Sequence, residues 1–290
     1  MEEIAFEGGV RCLVNSPGEL DPAKPTRLVL YAAPAGSSIE QTIGRRVESK
    51  ADWLFDVQHI GAQTRWLRAR MREVNRVVAE VQAEPKSFVR WKHVHPDHPA
   101  RVGAMVGALR KKVPGATLVL TGRSGGGSFT FSSLDGVEKI PDDVERIVFL
   151  DSNDAYDATL GHPAKLAAWL AAANVHRLVV LAYEDHVALL GGQTFVGEQG
   201  GTGRRSQAML RDFLGKMAFT RSEADGLQRP TALGGRVEFL LKENPTKAVL
   251  HPRQVELNGF IPAMVAGTER AGQGYGYLGA RASGEWITER

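Results

Sequence analysis

The sequence predicts an α/β fold: a mainly parallel sheet with helices wound on both faces and an antiparallel hairpin at the N-terminus. Short runs rich in Val, Ile and Leu alternate with longer segments whose apolar spacing suits helices, the signature of βαβ units. At 290 residues, 43% of them hydrophobic, the chain can also bury the double-sided core that such a sheet requires.

The elements follow in order. Ile4 to Phe6 and Val10 to Val14 flank Gly8-Gly9 and form the expected hairpin. Central strands are expected at Arg27 to Ala32, Trp53 to His59, Thr117 to Thr121, Arg146 to Leu150, Arg177 to Tyr183 and Val237 to Lys242. Thr64 to Val81, Pro99 to Val113, Pro163 to Ala173 and Arg204 to Met217 have helical spacing. The interval 186–235 is longer than a plain crossover needs and is rich in glycine, so it reads as a helix carrying an excursion that could wall a site. No internal repeat, low-complexity tract or linker-like stretch divides residues 1–290, which read as one domain.

Charge and composition exclude several classes. Thirty-six basic residues against 33 acidic ones leave a net charge of +3, too small and too mixed for a nucleic-acid surface. Cys12, the single cysteine, permits no internal disulfide and fits a reducing compartment. No run approaches the roughly 18 to 20 apolar residues of a membrane helix, and the acidic start Met1-Glu2-Glu3 is unlike a signal peptide. The expected partner is a small molecule, with neither nucleic acid nor membrane; a homo-oligomer is compatible with the sequence. The default location is cytoplasmic, the alternative being an exported form whose signal has been removed.

The strongest local pattern is Gly122-Arg123-Ser124-Gly125-Gly126-Gly127. It follows the buried-strand run Ala116 to Thr121 and precedes a helix-compatible segment from Ser128 to Leu134. A nucleophile held on a strand-to-helix turn needs small neighbours, because its backbone is strained and the chain passes close on either side. Gly125 would then present its N–H at a helix start, where orphan donors can stabilise an oxyanion. The same pentapeptide also occurs as an inert turn. A phosphate loop fits less well, since the Gly-Lys-Ser/Thr ending is missing.

At this turn the chain resembles the α/β-hydrolase family, from the hairpin to the region around His251. The resemblance implies an oxyanion loop after an early strand, the nucleophile mid-chain, an acid after a later strand and a histidine after the last. Ala32-Ala33-Pro34-Ala35-Gly36-Ser37 fills the first slot, with the N–H of Ala35 or Gly36 completing the oxyanion hole. Runs such as Gln58 to Arg65 and Leu150 to Asn153 also look like a bacterial subset of hydrolase-like proteins, which names no substrate. For the acid, the favoured residue is Asp185 after Leu178 to Tyr183, with Glu184 beside it and Asp151 one strand earlier as alternatives. Carboxylates at strand ends also cap helices without doing chemistry. His251 is the only histidine beyond position 186. The order Ser124, Asp185, His251 is that of the hydrolase triad. Residues 255–262 depart from the helix start usually found after such a histidine.

A competing pattern is His93-Val94-His95-Pro96-Asp97-His98, which matches the zinc-binding run of the metallo-β-lactamase family, with His162, Asp185 and His251 downstream. Residues 8–49 lack the Asp-x-Gly turn of that fold, and Lys86 to Lys92 is too charged for its buried strand; a solvated connection between helices accounts for the run as well. Arg65, Arg68 and Arg123 could favour an acidic substrate or simply pair locally, and the tail 272–277, flexible in composition, is expected to pack on the surface or on a partner. The expected function is therefore a serine hydrolase of carboxylic esters or amides that needs no cofactor or metal. The alternatives are a zinc hydrolase and a non-catalytic hydrolase-like binding protein.

Overall fold

The computed structural model describes residues 1–197 and 200–289; positions 198 and 199 of the expected excursion, and residue 290 of the expected domain, lie outside the described residues. Strands are β1 (Glu2–Phe6), β2 (Val10–Asn15), β3 (Thr26–Ala32), β4 (Asn75–Ala83), β5 (Thr117–Arg123), β6 (Val144–Leu150) and β7 (Arg177–Tyr183), followed by β8 (Leu189–Leu190), β9 (Gln193–Thr194), β10 (Phe219–Ala224), β11 (Leu227–Ala232) and β12 (Val237–Lys242). Helices are α1 (Ile39–Ile43), α2 (Ile60–Arg70), α3 (Phe88–Val94), α4 (His98–Lys112), α5 (Gly127–Asp135), α6 (His162–Ala172), α7 (Thr202–Leu214), α8 (His251–Gln254) and α9 (Phe260–Val265).

Ten strands form one sheet in the order β1-β2-β4-β3-β5-β6-β7-β12-β11-β10. The six from β4 to β12 run parallel, and both ends of the sheet are antiparallel. The expected hairpin is β1-β2. Alternation along each strand feeds two cores: Leu28, Leu30, Leu118 and Phe149 face α3 to α7, while Val29, Tyr31, Val119 and Val148 face α2 and α9. Buried anchors such as Trp169 and Phe260 contribute on the order of 1.5–3 kcal/mol each. Among the described residues no helix is long and apolar enough to cross a membrane.

Two expected elements are corrected. The strand expected at Trp53 to His59 is instead a 3-10 turn, Lys50–Asp56, whose first turn is capped by the Ser49 hydroxyl accepting the Ala51 N–H at 3.2 Å. The helix expected at Thr64 to Val81 stops at Arg70 and its second half is β4, a central strand buried along its whole length. The 186–235 excursion contains the β8-β9 ribbon, α7, and two strands that extend the sheet beyond β12.

The sharpest packing constraint lies where β5 turns into α5. A Cβ on Gly126 would stand 2.3 Å from the Ala32 carbonyl oxygen, and one on Gly127 would stand 1.7 Å from that of Ser152. Gly127→Ala is therefore expected to destabilise the fold by about 3 kcal/mol or more. Gly103→Ala, in α4 with open space around it, should stabilise by about 0.5–1 kcal/mol. Urea denaturation of the two variants checks the pair; equal midpoints would contradict the close packing described for the turn.

Candidate active site

Ser124 follows the last residue of β5 and has φ 53°, in the left-handed region that a residue with a Cβ rarely adopts. Neighbouring backbone holds it there: its N–H donates to the Asp151 carbonyl at 3.1 Å, and the Asp151 N–H donates in turn to Leu181 at 2.8 Å. Asp151 is itself at φ 48°. The carboxyl ends of β5, β6 and β7 are thus stitched together at two strained residues.

Asp151 is buried, and both of its carboxylate oxygens are taken. Oδ2 accepts from His251 Nδ1, and Oδ1 accepts from the Thr202 hydroxyl. Of the three sequence candidates, Asp151 is therefore the carboxylate bonded to His251, which corrects the preference for Asp185. Asp185 sits inside the turn that starts α7, where Oδ2 accepts the Thr202 N–H at 2.7 Å. It caps that helix by satisfying an orphan donor with a negative charge at the positive end of the dipole. Burial, then the charge of Asp151, pushes the Asp185 carboxyl above its ordinary range. Glu184 is engaged elsewhere, accepting the Asn244 N–H at 3.2 Å. Thr202, which bridges the two aspartates, was missed in the sequence because a lone threonine after Gly200-Gly201 carries no motif.

His251 opens α8, so a helix does start at the histidine, and the departure expected over residues 255–262 is confined to a distortion within the helical segment that follows. Val255–Gly259 is a wide turn with Asn258 at φ 76°, leading into α9. Its broken backbone bonds are replaced by side chains: Gln63 donates to Val255 O at 2.9 Å and accepts the Phe260 N–H at 3.1 Å. Asn258 donates to the carbonyls of Gly276 and Ala280, each at 2.8 Å. Arg146, buried in the sheet, donates to Ala263 and Ala266 at 3.3 and 3.0 Å and ties α9 to β6. The 272–277 tail packs here too, with the Tyr277 hydroxyl donating to Gln254 at 2.6 Å.

Gly125 and Ala35 face one another; the Ala35 N lies 3.6 Å from where a Gly125 Cβ would be. Among the described residues the Ala35 N–H reaches no acceptor, whereas the Gly36 N–H is committed to the Lys86 carbonyl at 2.7 Å. Gly36 is corrected on that ground. The His93 to His98 run is a polar corner between α3 and α4: Asp97 pairs with Arg101 at 2.8 Å, and the His95 ring lies against Trp91. His162 is buried elsewhere, one ring nitrogen bonded to Asp135 and the other to the Asp157 N–H. Among the described residues no cluster of three or more His, Cys, Asp or Glu side chains is placed to hold a metal ion.

No family model matches the chain, and no curated protein matches it by sequence. In structure it is similar to a thermostable esterase, with a TM-score of 0.52 and 14% identity over 91% of this chain and 60% of that one. It is similar too to an uncharacterised protein from Capnocytophaga ochracea, with a TM-score of 0.51 and 12% identity over 94% of this chain and 65% of the other. The chain thus spans less than two thirds of either protein. These likenesses are likenesses of fold, and the fold is of the α/β-hydrolase type.

Asp154, three residues beyond Asp151, has an oxygen that is buried and unpartnered, and burial with the Asp151 charge pushes its carboxyl up to about 6. A raised carboxyl favours the protonated form in the folded state, so its contribution to stability is present below about pH 4 and lost as pH rises through 6. Asp154→Asn should therefore raise stability by on the order of 1–2 kcal/mol at pH 7.5 and by nothing below about pH 4. Denaturation curves at the two pH values check this; a pH-independent difference would contradict it.

Proposed function

We propose that this chain is a serine hydrolase of small carboxylic esters, with Ser124 as nucleophile, His251 as general base and Asp151 as the residue that orients the imidazole. The observation that carries the reading is the backbone link between them: the Ser124 N–H is bonded to the residue whose carboxylate holds His251. With Nδ1 donating to Asp151, Nε2 is the nitrogen left to take the serine proton. The attacking Oγ bonds to the ester carbonyl carbon, the alcohol leaves with the proton returned by His251, and water then hydrolyses the acyl-enzyme in the same way. The N–H groups of Gly125 and Ala35 would stabilise the oxyanion, each worth about 3 kcal/mol of barrier. This chemistry calls for no cofactor. The preference for esters over amides comes from the esterase fold and is an analogy of fold.

A fluorophosphonate probe and a panel of 4-nitrophenyl esters test the reading. Wild type should label at one serine, and Ser124→Ala should not label at all. Asp151→Asn should lose about 10⁴ in kcat, the cost of the wrong imidazole tautomer, while Asp185→Asn should stay within about tenfold of wild type, as a cap acting through stability does. Labelling that survives in Ser124→Ala would overturn the proposal, as would a properly folded wild type that neither labels nor turns over any ester.

A further inference from the structure

The residue preceding the nucleophile poses a separate problem. Arg123 ends β5 with 6% of its surface exposed, and among the described residues its guanidinium donates to no acceptor; Nε is both sealed from solvent and unpartnered. An arginine cannot escape by losing its proton, so an uncompensated guanidinium in such a place is strongly unfavourable. The other buried arginines each donate to backbone carbonyls, although among the described residues Arg146 also leaves Nη2 without a partner. Arg76 donates to Met71 O at 2.7 Å, and Arg146 to the end of α9. Arg65 and Arg68, the other arginines singled out in the sequence, are spent on the carbonyls of Trp286, Asn15 and Arg76.

The surroundings define what is missing. Asp151, Tyr31 and Tyr183 are the groups that face Arg123 electrostatically, while burial itself lowers its affinity for the proton. Asp151 attracts it across a distance but accepts no hydrogen bond from it, its oxygens accepting instead from His251 and Thr202. The Tyr31 hydroxyl is turned to Gln58 at 3.2 Å. Tyr183 lies against the His251 backbone. A cation with unused donors therefore stands within electrostatic reach of the carboxylate that holds the imidazole, one residue from the nucleophile.

We propose that Arg123 is a substrate-binding residue that anchors a carboxylate carried by the ester. A guanidinium offers a carboxylate two parallel N–H···O bonds, a match of shape as well as charge. A single negative charge is the right amount, since a phosphate dianion would leave a surplus charge buried near Asp151. Esters of short dicarboxylic acids have the required chemistry. This inference rests on the serine-hydrolase reading for its chemistry, but the binding it describes can be read without turnover.

Two measurements test it. The first compares mono-4-nitrophenyl glutarate with 4-nitrophenyl pentanoate, acyl chains of equal length with and without the carboxylate. Wild type should prefer the anionic ester by about tenfold or more in kcat/KM, and Arg123→Met should lower that ratio by about 10–100-fold, chiefly through KM, as loss of a charge-assisted bond does. Arg123→Lys, which keeps the charge without the fork, should fall between. The second measurement is thermal unfolding with and without glutarate. Glutarate should raise the Tm of wild type and not that of Arg123→Met, whose own Tm without ligand should exceed that of wild type because the unpaired charge is gone. A ratio unchanged by Arg123→Met, a glutarate shift that persists in that variant, or no shift in wild type would overturn the proposal, and so would an Arg123→Met Tm lowered as for a structural ion partner. If neither ester is turned over and no serine labels, the hydrolase reading has failed, and the glutarate shifts alone decide the role of Arg123.

Discussion

Everything proposed for this protein depends on a contact between backbones. The turn after β5 passes so close to the carbonyls of Ala32 and Ser152 that positions 126 and 127 admit no side chain. That proximity lets the Ser124 N–H reach the carbonyl of Asp151, at the end of the next strand. The parallel sheet supplies the alignment, because neighbouring strands end at the same edge and their last residues can bond across it. Two residues with a Cβ are forced to positive φ in the process, and such strain persists only where the surrounding structure over-determines it.

The same edge explains how two aspartates on adjacent strands divide their roles. Asp185 lies where the start of α7 closes around it, and a carboxylate there is most useful as a cap. By fixing Thr202, the cap also fixes the hydroxyl that occupies one oxygen of Asp151, leaving the other for His251. The histidine depends on a region with poor helical geometry. Its wide turn is held by Gln63, a distant side chain that bonds the backbone of Val255 and Phe260, and by its own Asn258, which reaches the carbonyls of Gly276 and Ala280, while Arg146 ties the end of α9 to β6.

Much of this was legible in the sequence, for local reasons. The strands ending at Ala32, Arg123, Leu150, Tyr183 and Lys242 are apolar runs buried on both faces, and the turn at Ser124 advertises itself through its glycines. The strand β4 was hidden because Arg76, Glu80 and Gln82 are buried although polar, which breaks the apolar run into a pattern that resembles a helix. Trp53 to His59 erred in the opposite direction: its apolar residues line a short capped turn. The partner of His251 could be narrowed in the sequence only to Asp185, Glu184 or Asp151, and the preference fell on the wrong one. Asp151 and Asp185 both end buried strands, and the choice between them is made by Thr202 and the placement of α7, neither of which leaves a local signature.

The central claim, that His251 is held by Asp151, is tested most directly by proton NMR of the imidazole Nδ1–H. A proton shared with a buried carboxylate resonates far downfield and exchanges slowly enough to observe when sheltered. The account predicts that this resonance is lost in Asp151→Asn and His251→Ala and survives in Asp185→Asn. A resonance that survives in Asp151→Asn and vanishes in Asp185→Asn would contradict it.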